Sequence, residues 1–412
     1  ALPASTSLAD RLRKEFPNLL IILGGAHANV AGIDAAKNIS SIDIVSYHPE
    51  GETVILDILN KFTKHNFNRE SFLNDLNIMK NIKGIIFKNK GEVIKNLPGI
   101  TKESTICGVS YKEDTTLDRL NRLGFNDTWR IDMKEDLGID NSKANLESIQ
   151  QNIKPSIVDS IHKKHDVPDL IIVRHILEHT HNTLQFMLAL KKLVNPNGYI
   201  IFEVPDCTRG FEKLDYTTIW EEHILYFTDS TFKMCLNHGG FAPYYFEKYN
   251  YPFESVLIGI VKPNNIQSTS KSLQMDKHIL TEEIKRAKLF TERLTQKQND
   301  IKKFLKNFKK NHDNIVIFGT GHAACMFINL LGIKDLIDFA IDDNHKKKGF
   351  YMPGSKLPIY SSDALIQKKI NLCLLGLSSE SEKKIINKHK SFEENGGIFA
   401  SIYPTSKYAI QV

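Results

Sequence analysis

The sequence predicts an α/β protein made of three consecutive Rossmann-like βα segments. Three observations carry that expectation. Short apolar runs alternate with helix-patterned stretches along most of the chain, and the runs end repeatedly on Gly or Asp, as strands do where a parallel sheet hands over to a helix. The length, 412 residues, amounts to about three domains of ordinary size.

Hydrophobic residues make up 41% of the chain and charged residues 25%, a balance that supplies a buried core and a solvated surface. The longest apolar runs, such as Ile315 to Phe318, are strand-sized, so no membrane span is expected. The net charge of +6 traces in part to lysines within 285–310 and to Lys346, Lys347 and Lys348. These read as solvated faces, and nucleic acid is not expected as a partner. Cys107, Cys207, Cys235, Cys325 and Cys373 lie far apart without a CxxC pair. That argues against a cysteine-held zinc or iron–sulfur centre and suits a reducing cytoplasm. Residues 1–7 carry no signal-peptide pattern, and a chain starting at Ala1 without Met is expected to lack an upstream piece.

The first segment, residues 1–100, reads as a helix at Leu8 to Phe16, a strand at Leu19 to Leu23 closing on Gly24-Gly25, and a strand at Ile42 to Ser46. A helix at Thr53 to Phe62 follows, then two short strands, Gly84 to Lys88 and Glu92 to Asn96, around the turn Asn89-Lys90-Gly91. Gly24-Gly25-Ala26-His27, Ile42-Asp43-Ile44-Val45 and Glu50-Gly51-Glu52 together resemble the second half of the cobalamin-binding domain that precedes many radical S-adenosylmethionine enzymes. The resemblance implies cobalamin as a ligand with His27 as its neighbour; a histidine that merely holds its own turn is the alternative. The loop that carries the lower cobalt ligand in that family would lie before Ala1.

The second segment, 104–262, places strands near Ile106 to Val109, Thr128 to Ile131, Leu170 to Val173 and Tyr199 to Glu203, with later pieces at Tyr244 to Tyr249 and Ser255 to Val261. A polar helical stretch, 277–310, is expected to bridge domains. The third segment, 311–412, opens with Ile315 to Phe318, runs into Gly319-Thr320-Gly321, and continues with a helix at Cys325 to Leu331 and strands at Asp338 to Ile341 and Leu372 to Leu375.

A cofactor carrying adenosine needs backbone close to it after the first strand and an acceptor for its ribose hydroxyls after the second. Gly108, Asp114 and Asp132 stand at those places; a turn glycine and a helix-capping aspartate fit Gly108 and Asp132 equally well.

Asp169-Leu170-Ile171-Ile172-Val173-Arg174-His175-Ile176-Leu177-Glu178-His179 resembles the fourth-strand signature of class I methyltransferases, with Leu177-Glu178-His179 opening the next helix. The resemblance implies S-adenosyl-L-methionine as cofactor, with Arg174 and His175 at the cofactor-side turn. Glu203-Val204-Pro205-Asp206 followed by Ile219-Trp220-Glu221-Glu222-His223-Ile224-Leu225-Tyr226-Phe227 is similar to the sugar C-methyltransferase family that acts on nucleotide-linked deoxysugars. It implies His223 as general base, Glu222 as a residue that orients substrate, and Tyr226 on the acceptor side. Imidazole suits that task, because its ordinary pKa of about 6.5 is close to working pH.

Phe318-Gly319-Thr320-Gly321-His322-Ala323-Ala324, Asp342-Asp343-Asn344, Lys348 to Gly354 and Pro358-Ile359 are similar to the same family's carboxy-terminal domain. That implies a nucleotide-sugar partner, with Gly319 and Gly321 near its phosphates and Asp342 beside it. The chain departs from the family in three places. The cysteine-rich zinc domain is replaced by the cobalamin-domain-like segment, the first loop lacks its second glycine, and Trp220 stands where a phenol is usual.

Two other readings compete. His175-Ile176-Leu177-Glu178-His179 spells H-x-x-E-H, a zinc-hydrolase pattern that needs both histidines on one helix face. The irregular Gly108 to Thr115 loop also suits a non-catalytic, cofactor-binding scaffold with a decayed methyltransferase core.

Overall fold

The computed structural model describes residues 2–24, 35–46, 51–82, 85–89, 92–95, 97, 99–141, 144–250, 255–264, 277–312 and 314–411. The chain divides into two compact units, Ala1–Lys102 and Glu103–Val412.

In the first unit, β1 (Ile22–Leu23) pairs in parallel with β2 (Ile44–Ser46), and β2 pairs antiparallel with β3 (Ile85–Asn89). The hairpin expected at the end of this unit is present, with β3 antiparallel to β4 (Glu92–Lys95). Its turn residues Lys90 and Gly91 lie outside the described residues, as do Gly25, Ala26 and His27 of the cobalamin-domain resemblance. The core gathers Ile44, Ile58, Phe72, Met79 and Phe87 under the sheet. Beside it, buried Asp43 accepts from both Arg13 and Arg69 at 2.6 Å and from the Ile21 N–H at 2.9 Å. One carboxylate thereby joins the helix Leu2–Glu15, the residues leading into β1 and β2, and the helix Arg69–Asn74.

The second unit holds two sheets. In the first, β5 (Ile106–Gly108), β6 (Thr128–Arg130), β7 (Leu170–Arg174), β8 (Tyr199–Asp206), β9 (Phe241–Asn250) and β10 (Ser255–Pro263) take the order β6-β5-β7-β8-β10-β9. Four strands are parallel, and the final hairpin is antiparallel. The run Leu170 to Val173 is buried throughout because β7 is central and covered on both faces. Asp169 sets its register: one carboxylate oxygen accepts from the Thr105 N–H, the other from Asn195, and its carbonyl accepts from the Tyr199 N–H. The aspartate that opens the strand thus ties together the starts of β5, β7 and β8. Helix formation does not resume at Leu177, contrary to expectation; 177–179 is a single 3-10 turn and the helix begins at Thr183. His175 turns the chain with φ of 50°, and Asn182 caps the later start by accepting from the Gln185 N–H.

The other sheet is fully parallel: β11 (Ile315–Phe318), β12 (Phe339–Ile341), β13 (Ile359–Tyr360), β14 (Leu372–Leu375) and β15 (Ile398–Ser401) in the order β13-β12-β11-β14-β15. Alternation along β11 feeds two cores, Ile315 and Ile317 to one face, Val316 and Phe318 to the other. The short edge strands β13 and β15 escape sequence patterning, the first being only two residues long after Pro358 and the second mixing Ala and Ser with an exposed Ile398. A helix of 35 residues, Lys277–Asn311, joins the two sheets. Phe290 packs on Phe211 and Tyr216 of the first layer, and Ile301 and Leu305 enter the core of the second. No described helix is long and apolar enough to cross a membrane.

Replacing Asp43 by Ala removes the carboxylate from both guanidinium groups, although Arg13 keeps the Pro17, Leu19 and Ser41 carbonyls as acceptors. Urea unfolding of the full chain is expected to show the first unit weakened by about 2–3 kcal/mol, somewhat under the cost of breaking a fully buried pair, because both arginines are partly exposed. An unmoved transition would show the clamp to be dispensable.

Candidate active site

The chain reverses its direction of sheet growth between β5 and β7, so the crevice beyond their carboxyl ends is where an open α/β sheet takes a ligand. Gly108 closes β5 there. A Cβ at Gly108 would meet the Glu113 Cβ at 2.8 Å, so the missing side chain makes room for Glu113. The Glu113 carboxylate is fully buried; it accepts from the Ser110 N–H at 2.7 Å and hydroxyl at 2.8 Å, and from the Arg174 N–H at 2.7 Å. A carboxylate therefore stitches the first loop to the end of β7 where the expected second glycine is missing. Burial raises it to about 7, against the opposing pull of those hydrogen bonds.

Asp114, expected in the same loop, is instead the first residue of the helix Asp114–Arg122 and pairs with Arg130 at 2.8 Å. Asp132 follows β6, and its Oδ1 accepts the N–H groups of Lys134 and Glu135, both at 2.8 Å. It caps a turn, and its Oδ2 makes no hydrogen bond among the described residues, so it can accept a hydroxyl from an incoming ribose. Hydrogen bonds from the Glu135 and Lys134 N–H groups hold Asp132 below the ordinary carboxylate range. At the end of β7, Arg174 donates to Glu203 through Nε (2.8 Å) and Nη2 (3.0 Å), a bidentate pair. His175 reaches the same carboxylate through Nε2 at 3.1 Å. Burial opposes charge on His175, but Glu178 and Glu203 outweigh it and hold the imidazole at about 9. Burial likewise opposes charge on Glu203, which its two basic partners bring down to about 2.

The loop carrying His223 docks directly on this turn. The Glu178 carbonyl accepts the N–H groups of Ile224 (2.8 Å) and Leu225 (3.0 Å), which brings the two methyltransferase-like motifs together. His223 and His179 meet edge to face with ring centroids 4.7 Å apart. His179 is buried and oriented by Glu147, whose Oε1 lies 2.8 Å from its Nδ1. Burial lowers His223 to about 4, with His179, His175 and His322 adding to the effect and Glu178 opposing it. Its imidazole is consequently neutral near pH 7.

Tyr226 accepts from the Trp220 N–H and donates to the Trp220 carbonyl, so its hydroxyl holds the loop closed. The Trp220 indole stacks on His322 of the second sheet layer, with centroids 3.6 Å apart and planes 6° from parallel. His322 Nε2 lies 2.9 Å from the Ile219 carbonyl. Glu222 is exposed, and its charge adds to burial in raising the Tyr111 phenol.

A cavity of about 220 Å³ opens beside this loop. Its wall includes Asp206, Arg209, Trp220 and His223 from the first layer and His322, Ser378 and Tyr403 from the second. The helix His322–Leu331 begins at that wall, and its N-cap residue Gly321 supplies no side-chain hydrogen bond and has open space where a Cβ would be. Gly319, at φ of 98°, has its Cβ position 2.7 Å from the Gly376 carbonyl, so it serves the tight βα turn. Asp342 is engaged within its own layer, accepting from Thr320, Asn344 and Lys347.

Of the expected residues, the structure brings His223 to the cavity wall with Tyr226 bracing its loop, and groups Gly108, Arg174 and His175 at the β5–β7 crevice. Glu222, Tyr226, Gly319, Gly321 and Asp342 do not line the cavity, and the helix that follows Gly321 meets it at His322 and Ala323. Glu113, Glu147, Glu203 and His322 were not singled out from sequence as site residues, although Glu203 opens the Glu203 to Asp206 motif, His322 lies inside the Gly319 to Ala324 motif, and Glu113 stands three residues after its capping partner Ser110. The H-x-x-E-H pattern does not occupy a helix face, because His175 lies at the strand end in the left-handed region and 177–179 forms one 3-10 turn.

Residues 90–245 match the family model described as a methyltransferase domain, and residues 260–404 match that of a C-methyltransferase C-terminal domain. None of the curated proteins matches the chain. One similar solved structure is the 1,6-didemethyltoxoflavin-N1-methyltransferase of Burkholderia thailandensis with bound 1,6-didemethyltoxoflavin and S-adenosylhomocysteine. It is 9% identical over 40% of this chain and 72% of that one, with a TM-score of 0.27. An S-adenosylmethionine-dependent methyltransferase from Anabaena variabilis is 12% identical over 40% of this chain and 79% of its own, with a TM-score of 0.30. A putative S-adenosylmethionine-dependent methyltransferase from Listeria monocytogenes is 12% identical over 40% and 92%, with a TM-score of 0.28.

Glu113 gives the first loop a testable pH signature. Because its folded-state value, about 7, lies above the ordinary 4.5, the folded chain keeps a proton that the unfolded chain releases. The associated stability is fully present below about pH 4.5 and is lost as pH rises through 7, at a slope of at most about 1.4 kcal/mol per pH unit. Urea unfolding from pH 4.5 to 8 should show this decline flattened in Glu113→Gln. An identical profile in the variant would assign the decline elsewhere.

Proposed function

We propose, from the premise that this chain is a methyltransferase dependent on S-adenosylmethionine, that it moves the cofactor's methyl group to a carbon or hydroxyl of a nucleotide-linked sugar. The premise rests on the two matched domains. The carrying observation for the acceptor is the cavity itself, which has a neutral imidazole, His223, in its wall and a bare helix N-terminus after Gly321 opening toward it. A sugar hydroxyl or an acidic carbon needs a proton acceptor, and a diphosphate suits a helix N-terminus. The same cavity offers both, from two layers of one compact unit.

When bound, the cofactor supplies an electrophilic methyl group on a sulfonium. The residues at the β5–β7 crevice fit its parts: Asp132 has a carboxylate oxygen for a ribose hydroxyl, and Gly108, Arg174 and His175 border the crevice. On the acceptor side, His223 takes the proton from the attacking atom. Tyr226 and the His322 stack on Trp220 hold the His223 loop in place, and Glu222 is exposed on the same loop.

Two variants separate these roles. His223→Ala is expected to retain cofactor binding by calorimetry while losing at least about 100-fold in methyl transfer, measured with labelled cofactor against a panel of nucleotide-sugars. Full turnover in the variant would remove His223 from the mechanism. Asp132→Asn keeps Oδ1 as the turn's acceptor and should weaken cofactor binding roughly tenfold, the value of a hydrogen bond to a charged acceptor. Unaltered affinity would place the ribose elsewhere.

A further inference from the structure

We propose that Glu178, His179 and His223 form a divalent-cation site whose occupancy switches off methyl transfer. One ligand atom from each side chain lies within 4.8 Å of the other two. Tetrahedral ligands at about 2.0–2.2 Å from one ion stand about 3.3–3.6 Å apart, so closing on a metal takes side-chain adjustments that shorten these separations by up to about 1.3 Å.

Proximity is joined by two independent observations. Glu178 is 1% exposed, and neither carboxylate oxygen has a hydrogen-bond partner among the described residues. Protonated His175 stands 3.4 Å from Oε1 through Nδ1 and pairs with that oxygen by charge, which leaves Oε2 buried with no hydrogen-bond partner among the described residues. A buried carboxylate in that condition is costly, and a cation is the ligand that relieves it. The other observation is Glu147, whose carboxylate engages His179 Nδ1 at 2.8 Å. That contact fixes the tautomer in which His179 Nε2 carries a lone pair, the arrangement by which carboxylates orient metal-binding histidines. Two imidazoles and one carboxylate suit Zn²⁺, with a fourth position left for water or another ligand.

The regulatory consequence rests on the role proposed above for His223. A nitrogen whose lone pair is given to a metal cannot accept a proton, so the loaded chain binds its cofactor but does not turn over. This cluster differs from the H-x-x-E-H zinc pattern, since His223 from the docked loop takes the place of His175.

The test uses the full chain after chelator treatment, titrated with ZnCl₂ by calorimetry and with CoCl₂ by visible absorption. One Zn²⁺ per chain with micromolar or tighter affinity is expected, together with the strong visible bands of four-coordinate Co²⁺. Glu178→Gln should weaken Zn²⁺ binding at least about 100-fold and Glu147→Gln about 10–100-fold, with circular dichroism showing both variants folded. No binding up to about 1 mM Zn²⁺, or the same affinity in Glu178→Gln, overturns the site. If Glu178→Gln does not fold, an octahedral Co²⁺ spectrum in the parent chain overturns it instead. Methyl transfer should fall in proportion to Zn²⁺ occupancy and return with chelator; unimpaired turnover at full occupancy overturns the switch. Zn²⁺ bound by a chain that methylates no nucleotide-linked sugar supports the site while overturning the acceptor reading, so the two failures are distinguishable.

Discussion

Two backbone hydrogen bonds, from the Ile224 and Leu225 N–H groups to the single carbonyl of Glu178, organise the centre of this protein. They dock a long irregular loop onto the turn that leaves the central strand. Without them His223 has no fixed relation to the crevice at the end of β7. The surrounding contacts reinforce the same point: Tyr226 closes the loop on itself, and Trp220 stacks against His322 from the neighbouring layer. A backbone anchor is robust here, because substitution of side chains leaves the N–H donors and the carbonyl in place.

The same turn concentrates charge. Arg174, His175, Glu178 and Glu203 lie within one short stretch and its partner strand, with Glu203 pulled to about 2 and His175 lifted to about 9. His223 moves the opposite way, since burial and neighbouring histidines disfavour its charged form. Neighbouring imidazoles thus take different protonation states for stated reasons: the two carboxylates at His175 outweigh its burial, whereas burial, with nearby histidines adding to it, outweighs Glu178 at His223.

Much of the fold could be read from sequence, because buried parallel strands announce themselves as apolar runs. Leu170 to Val173, Ile315 to Phe318 and Leu372 to Leu375 are such runs, and all are central strands. Edge strands β13 and β15 lacked that signal, and the 3-10 turn at 177–179 depends on the backbone twist at His175, which residue patterning does not reveal. At the site, motif order pointed to His223 and to the neighbourhood of Arg174 and His175. The roles of Glu113, Glu147 and Glu203 were illegible for a different reason: Ser110-x-x-Glu113 is a local capping pattern and Glu203 opens a motif, but the pairings of Glu113 with Arg174, Glu147 with His179 and Glu203 with Arg174 span 29 or more residues. Pairings over such separations are set by topology, and no local spacing encodes them.

The helix Lys277–Asn311 has a consequence of phase. Phe290, which meets the first layer, and Ile301, which enters the core of the second, are eleven residues apart, close to three full turns. Both contacts therefore lie on one stripe of a rigid rod. A single inserted residue between them would rotate everything beyond it by about 100°, swinging the second layer's wall away from the cavity, whereas substitutions on the polar face would leave the rod's angular register untouched. The length of this helix between its two anchors is thus a geometric constant of the site, and its surface chemistry is free to drift.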